Sequence, residues 1–114
     1  MNISSIVCMM PTTLPEVLDE HTAAHVAELF RAFSDTSRVR IVSALTSQEF
    51  NVNALAQVVG ISESGISHHL RSLRQMHMVQ ARRDGKEVFY RVVDEHIILL
   101  FQQGVKHIEH GQEL

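Results

Sequence analysis

Asp94 and His96, followed eleven residues later by His107 and then His110, place one carboxylate and three imidazoles near one end of the chain. Such a four-ligand set suits zinc. The segment between the two pairs is apolar and free of proline, so it is expected to form one helix. Eleven helical residues return to nearly the same face but travel roughly 16 Å along the axis. A zinc–nitrogen bond is only about 2 Å long. One straight helix therefore cannot close this set around one ion. Two antiparallel copies can, with Asp94 and His96 from one chain and His107 and His110 from the other. That arrangement has two-fold symmetry and two equivalent sites, so the spacing implies a homodimer bridged by metal. His107 and His110 are three residues apart and share a helix face. Asp94, at the cap position, is free to turn toward His96 while also capping the helix.

A second group of residues carries different chemistry. Asn53–Val59 and Glu63–His77 are expected to be two helices joined by the turn Val59-Gly60-Ile61-Ser62, a helix-turn-helix. Val58, Ile61, Ile66 and Leu70 are the apolar residues expected to hold the pair together. The start of the second helix carries Ser62, Glu63, Ser64, Gly65, Ser67 and His68, small or polar residues that allow close approach to a major groove. Arg71 and Arg74 lie further along, within reach of phosphates. Beyond them, Met78–Arg83 and Glu87–Val93 alternate and are β-prone around Asp84-Gly85-Lys86, a strong hairpin signal. Arg82, Arg83 and Lys86 make that hairpin a basic wing. The DNA-binding set is thus Ser62, Ser64, Gly65, Ser67, His68, Arg71, Arg74, Arg82, Arg83 and Lys86. His69 and His77 are assigned to the reading helix and its end rather than to metal.

The charge distribution supports this division. Net charge is −3 over 114 residues, which argues against a protein that coats nucleic acid indiscriminately. Yet six of the ten basic residues fall between Arg71 and Arg91, a basic patch on an acidic body. No apolar run approaches membrane-spanning length. The first ten residues have no basic region before their short apolar stretch and do not resemble a secretory signal. A single cysteine, Cys8, allows no internal disulfide, and a reducing, cytoplasmic setting is the simplest expectation.

These residues need a scaffold of one domain. Residues 1–13 form an expected loose arm, 14–110 the DNA-binding and dimerisation domain, and 111–114 a tail. From Leu14 to Phe33, Val17, Leu18, Val26, Leu29, Phe30 and Phe33 recur at helical spacing, with Pro15 suited to the first turn. Ser34-Asp35 breaks that helix and caps a second, with Val39, Ile41, Val42 and Leu45 as its apolar positions. Thr46 to Phe50 is expected to be a connector. Gly60 closes the short third helix. Asp94 caps a last helix running to about His110, whose Ile97, Leu100, Phe101, Val105 and Ile108 serve core and dimer packing rather than a small-molecule pocket. The expected class is mainly α with a β-hairpin wing (α+β), in the order α-α-α-α-β-β-α.

The run Ile61-Ser-Glu-Ser-Gly-Ile-Ser-His-His-Leu-Arg-Ser-Leu73, then Val79 and the basic Asp-Gly hairpin, resembles the ArsR/SmtB family of winged-helix metal-sensing repressors. Phe33-Ser-Asp-Thr-Ser-Arg-Val-Arg-Ile41 resembles the family's lead-in to its second helix. The resemblance spans about Leu14 to His110. Asp94-x-His96 with His107-x-x-His110 is further similar to the zinc-sensing SmtB/CzrA branch, in which the last helices of two subunits share two zinc ions. The resemblance implies an apo homodimer that binds operator DNA with an inverted repeat, and Zn(2+) as the inducer that weakens that binding. It also implies derepression of metal-resistance or efflux genes. Some relatives carry a second, thiolate site before the turn. Here Asn51-Val-Asn53 stands near that place, which disfavours an arsenic, lead or cadmium thiolate sensor. Cys8, His21 and His25 read first as a free thiol and an exposed polar face, and second as remnants of an N-terminal ligand set.

Three rival readings are distinguishable. A nickel or cobalt sensor would add ligands such as His21 or His25 to reach six-coordination. A metal-independent winged-helix regulator would use the last helix for dimerisation alone. A zinc hydrolase would need an open coordination position and a base, and the chain has no His-Glu-x-x-His motif. The sequence therefore points away from an enzyme, from a small organic substrate and from a membrane.

Overall fold

The first helix begins where an aspartate can cap it. In the computed structural model, which describes residues 16–112, α1 spans Glu20–Ala32 and Asp19 Oδ1 accepts the Thr22 N–H at 2.7 Å. The expected start at Leu14 is corrected in its described part. Residues 16–19 are not helical, and Val17 and Leu18 lie 83% and 40% exposed. Once the Asp19 carboxylate has taken a first-turn N–H, the chain before it has no helical ladder to join. Leu14, Pro15 and the arm 1–13 with Cys8 fall outside the described residues.

α2 (Thr36–Ser47) starts as expected, with Asp35 accepting the N–H groups of Ser37 and Arg38. It buries Ile41, Val42 and Leu45. The segment after it is not purely a connector: Phe50–Asn51 forms a short strand, β1, whose Phe50 pairs with Tyr90 and Asn51 with Phe89. Asn51 then caps α3 (Val52–Val59) by accepting the Ala54 N–H at 2.8 Å. Gly60 ends that helix at φ +82°, a conformation that costs a glycine little.

α4 (Glu63–Gln75) is capped by Ser62, whose Oγ accepts the Gly65 N–H at 3.0 Å. It stops two residues before the expected His77. His77 sits at φ +59°, the Met78 N–H reaches back to the Leu73 carbonyl at 2.9 Å, and the His77 N–H to that of Arg74 at 3.0 Å. This is a Schellman ending with histidine where glycine is usual. Burial of both Leu73 and Met78 holds it in place.

The hairpin forms as expected from β2 (Gln80–Asp84) and β3 (Glu87–Arg91), and with β1 gives an antiparallel sheet in the order β1-β3-β2. α5 spans Glu95–Gln112, passing through Gly111 rather than ending at His110. The order is thus the expected one with one added strand. The core gathers Ile41, Leu45, Leu55, Ile66, Leu70, Leu73, Met78 and Val92, with no buried polar side chain among the described residues. The Val92 N–H donates to the Leu45 carbonyl at 3.1 Å and so pins the root of α5 to α2. α5 itself contributes Ile97 to the core, with Ile98 and Phe101 packed against it. From Gln102 to Gly111 every residue is exposed.

Candidate nucleic-acid interface and metal centre

The helix-turn-helix is held by Leu55, Val59, Ile66 and Leu70, all buried. Val58, expected in that role, is 57% exposed, and Val59 takes its place at 3%. On a short helix, one position of phase is enough to exchange core for surface. Two arginines of α2 brace the pair from behind. Arg40 Nη1 donates to the Val59 carbonyl at 2.8 Å, meeting the orphan acceptors at the end of α3. Arg38 Nε donates to His69 Nδ1 at 3.1 Å, so His69 is committed to the protein rather than to solvent.

The opposite face of α4 is open. Ser62, Ser64, Ser67, His68, Arg71 and Arg74 are exposed along it. Gly65 is half-buried, and a Cβ there would come within 3.2 Å of Ser62 Oγ, so glycine keeps the cap clear. Between α4 and the wing lies a groove of about 400 Å³, lined by Ser67, Arg71, Arg74, Gln75 and Tyr90. Two guanidinium groups and a phenol flanking one groove are chemistry suited to a phosphate chain. Tyr90 was not among the sequence candidates. Its signal was available, because strand alternation sets it two residues from Val88 and Val92 on one face.

The wing's three basic residues differ. Arg83 and Lys86 are exposed near the tip, where Gly85 takes φ +64°. Arg82 is engaged: its Nε donates to Glu49 Oε2 at 3.2 Å, its Nη2 to Glu49 Oε1, and its guanidinium lies 5.0 Å from the Phe89 ring centre. The Arg82 hydrogen bond holds the Glu49 carboxyl below the usual carboxylate range, and Glu49 in turn raises Arg82. Arg82 thus ties the wing to the α2–β1 connection. A further tie runs from Asn51 Nδ2 to Glu87 Oε1 at 3.0 Å.

The four metal candidates lie on or beside α5. Asp94 Oδ1 accepts the His96 backbone N–H at 2.8 Å and stands 3.1 Å from His96 Nδ1, with the His96 side chain 95% exposed. Chiefly the backbone N–H of His96 holds the Asp94 carboxyl below its usual range. His107 and His110 are exposed on the projecting end of the same helix. The structure brings Asp94 and His96 together and keeps the other pair about three helical turns away. Among the described residues of one chain, no three metal-ligand side chains share a site. The donors fit zinc in kind, one carboxylate with imidazoles, and all are accessible from outside.

Beside the projecting helix, α1 and α5 leave a strongly apolar groove of about 580 Å³, lined chiefly by Phe30, Phe33, Val39, Phe101, Val105 and Ile108. Phe30, Val105 and Ile108 are 54%, 41% and 45% exposed. His107 borders the same groove. An apolar face of this kind needs a partner.

Residues 35–81 match the family described as bacterial regulatory protein, arsR family. The chain is 41% identical over 95 residues to the transcriptional repressor SmtB homolog of Synechocystis, covering 83% of this chain and 72% of that one. Among solved structures it is similar to the AntR antimony-specific transcriptional repressor, with a TM-score of 0.78 and 26% identity over 93% of this chain and 97% of that one. It is also similar to a homodimeric winged helix-turn-helix DNA-binding domain from Mycobacterium bovis, with a TM-score of 0.73 and 28% identity, covering 88% and 96% of the two chains. No helix among the described residues is long and apolar enough to cross a membrane.

Proposed function

Since the chain belongs to the ArsR/SmtB family of bacterial regulatory proteins, we propose that it is a metal-responsive transcriptional repressor acting as a homodimer in the cytoplasm. The observation that carries this reading is the unfinished state of α5. Its end projects with every residue from Gln102 to Gly111 exposed, its ligand pairs sit far apart, and its apolar groove lies open beside them. A second copy running antiparallel supplies what each feature lacks. It covers the groove, and it sets His107 and His110 of one chain against Asp94 and His96 of the other.

The apo dimer holds two α4 helices about one DNA turn apart, matching an inverted-repeat operator. Ser62, Ser64, Gly65, Ser67 and His68 face the bases, while Arg71, Arg74, Arg83 and Lys86 hold phosphates. Arg82, exposed but paired with Glu49, ties the wing to the α2–β1 connection. Asp94 and His96 of one chain with His107 and His110 of the other would hold a Zn(2+) ion, which would supply a cross-link between the two α5 helices. A dimer geometry favoured by such a cross-link would no longer present both heads to successive grooves, and metal and DNA would then weaken each other's binding by one factor. His107, besides ligating, would have its second N–H available for a carbonyl of the Gln75–Met78 turn that ends α4. A second-shell bond of this kind is usual for a metal-bound imidazole.

The test is operator affinity of the dimer with and without zinc, for wild type and His96→Ala. A typical coupling changes wild-type affinity by roughly 5- to 150-fold. His96→Ala should bind operator normally and ignore zinc. Equal wild-type affinity with and without metal refutes the metal response and leaves a metal-independent regulator.

A nickel or cobalt response is the second reading, supported by His21 and His25 of α1. Their ring centres are 4.5 Å apart, and His25 Nδ1 lies 2.8 Å from the His21 carbonyl oxygen. A proton held on Nδ1 leaves Nε2 of His25 free for a metal. Loss of a nickel response in His21→Ala, with the zinc response intact, distinguishes this reading.

A further inference from the structure

A line of polar side chains crosses the front of the helix-turn-helix. Gln57 Nε2 donates to Asn53 Oδ1 at 3.1 Å, and Asn53 Nδ2 donates to Glu63 Oε2 at 3.1 Å. Gln57 and Asn53 belong to α3, and Glu63 is the first residue of α4. All three are exposed. Gln57 occupies the amide oxygen of Asn53, which turns the Asn53 NH₂ toward Glu63. One carboxylate oxygen of Glu63 is thereby held against α3. The other, Oε1, takes no hydrogen bond among the described residues.

We propose that Glu63, oriented by Asn53 and Gln57, is a specificity-determining residue that selects cytosine at one position of each operator half-site. The inference rests on the reading above, in which the start of α4 enters the major groove. A carboxylate there is surrounded by phosphates that repel it, so it adds nothing to backbone affinity. It is tolerated where a base edge offers a donor. Two base edges do so in the major groove, the cytosine N4 amine and the adenine N6 amine. Adenine sets its N7 lone pair beside that amine, and a group that only accepts is repelled by it. Cytosine has no such neighbour on its own edge. A first-turn glutamate also complements the helix dipole, but that role needs no partner on α3. The amide relay fixes the direction of the side chain, as selecting one base requires.

The test is selection of duplexes from a randomised library by the metal-free full-length protein, comparing wild type, Glu63→Gln and Asn53→Ala. Wild type should enrich cytosine at one position in each half-site. Glu63→Gln keeps an acceptor for Asn53 and gains a donor, so that position should turn toward adenine, whose N6 and N7 an amide matches. The other positions should stay as they are. Asn53→Ala should weaken the cytosine preference roughly five- to tenfold, the low end for one base contact, with the rest of the pattern intact. A Glu63→Gln pattern identical to wild type at every position overturns the proposal while leaving DNA reading by α4 in place. An unchanged pattern for Asn53→Ala removes the positioning role of the relay. Failure of wild type to enrich any sequence overturns the DNA reading itself, and this inference with it.

Discussion

Asp94 Oδ1 accepts the backbone N–H of His96 at 2.8 Å and lies 3.1 Å from the Nδ1 of the same residue. One oxygen thus both caps α5 and fixes the direction of an imidazole. The two functions separate by substitution. Asn caps a helix about as well as Asp, so Asp94→Asn should keep α5 and its stability. It removes the negative ligand, and zinc affinity should fall by at least about tenfold, as for other losses around a metal. Asp94→Ala loses both, with a further cost of about 1 kcal/mol in unfolding free energy. Denaturant melts and zinc titrations on the two variants check this. Equal zinc affinity in wild type and Asp94→Asn removes Asp94 from the ligand set.

The pH dependence of capping and of metal binding should differ. The Asp94 carboxyl is held below its usual range, chiefly by the His96 backbone N–H. A group with a depressed folded pKa stabilises fully above its unfolded value, about 3.9, and loses that contribution as pH falls through the folded value. Capping by Asp94 therefore persists below the ordinary carboxylate range and is lost only as pH falls through its depressed value. Metal binding should fail earlier, because protons compete with the ion for three imidazoles as well as for this carboxylate. Zinc titrations and helix content by circular dichroism, followed over the same pH series, should give two separate transitions. A single shared transition refutes this separation.

Salt dependence distinguishes the wing residues. Arg83 and Lys86 are exposed and free to meet phosphates, whereas Arg82 is paired with Glu49 and lies over Phe89. Arg83→Ala and Lys86→Ala should each lower the slope of log affinity against log salt by about 1. Arg82→Ala should leave the slope nearly unchanged and lower thermal stability instead. A full unit of slope lost in Arg82→Ala would show that Arg82 leaves Glu49 for DNA.

Local signals made much of this architecture legible. Asp35, Ser62 and Gly60 marked helix ends by chemistry that acts within a few residues, and Asp84-Gly85 marked the hairpin. What escaped was set by distant partners. β1 is two residues long and exists through its pairing with Phe89 and Tyr90, nearly forty residues away. His77 ends α4 in a conformation that histidine rarely adopts, held there by burial of Leu73 and Met78. The start of α1 was legible in principle, since Asp19 and Thr22 have capping spacing, but the apolar pair Val17 and Leu18 outweighed it. In the candidate site, the ligand types and their separation were plain in the sequence. The capture of Arg82 by Glu49 was not, because it depends on how the wing lies against the α2–β1 connection.

Whether the metal site needs two chains can be read by altering a residue that binds no metal. Val105 lies on the exposed apolar face of α5, 41% exposed, beside Phe30 and Ile108 in the groove. Within one chain, a charge there meets solvent and costs little. Across a dimer interface it is an unpaired buried charge, which is strongly unfavourable. Val105→Glu should therefore yield a folded monomer, seen by sedimentation and circular dichroism. Operator affinity should collapse, since one reading head cannot span an inverted repeat. Zinc affinity should collapse too, although Asp94, His96, His107 and His110 are all intact. A monomer that still binds zinc as tightly as wild type would show that each chain assembles its own site, and the coupling between metal and subunit arrangement would then have no physical basis.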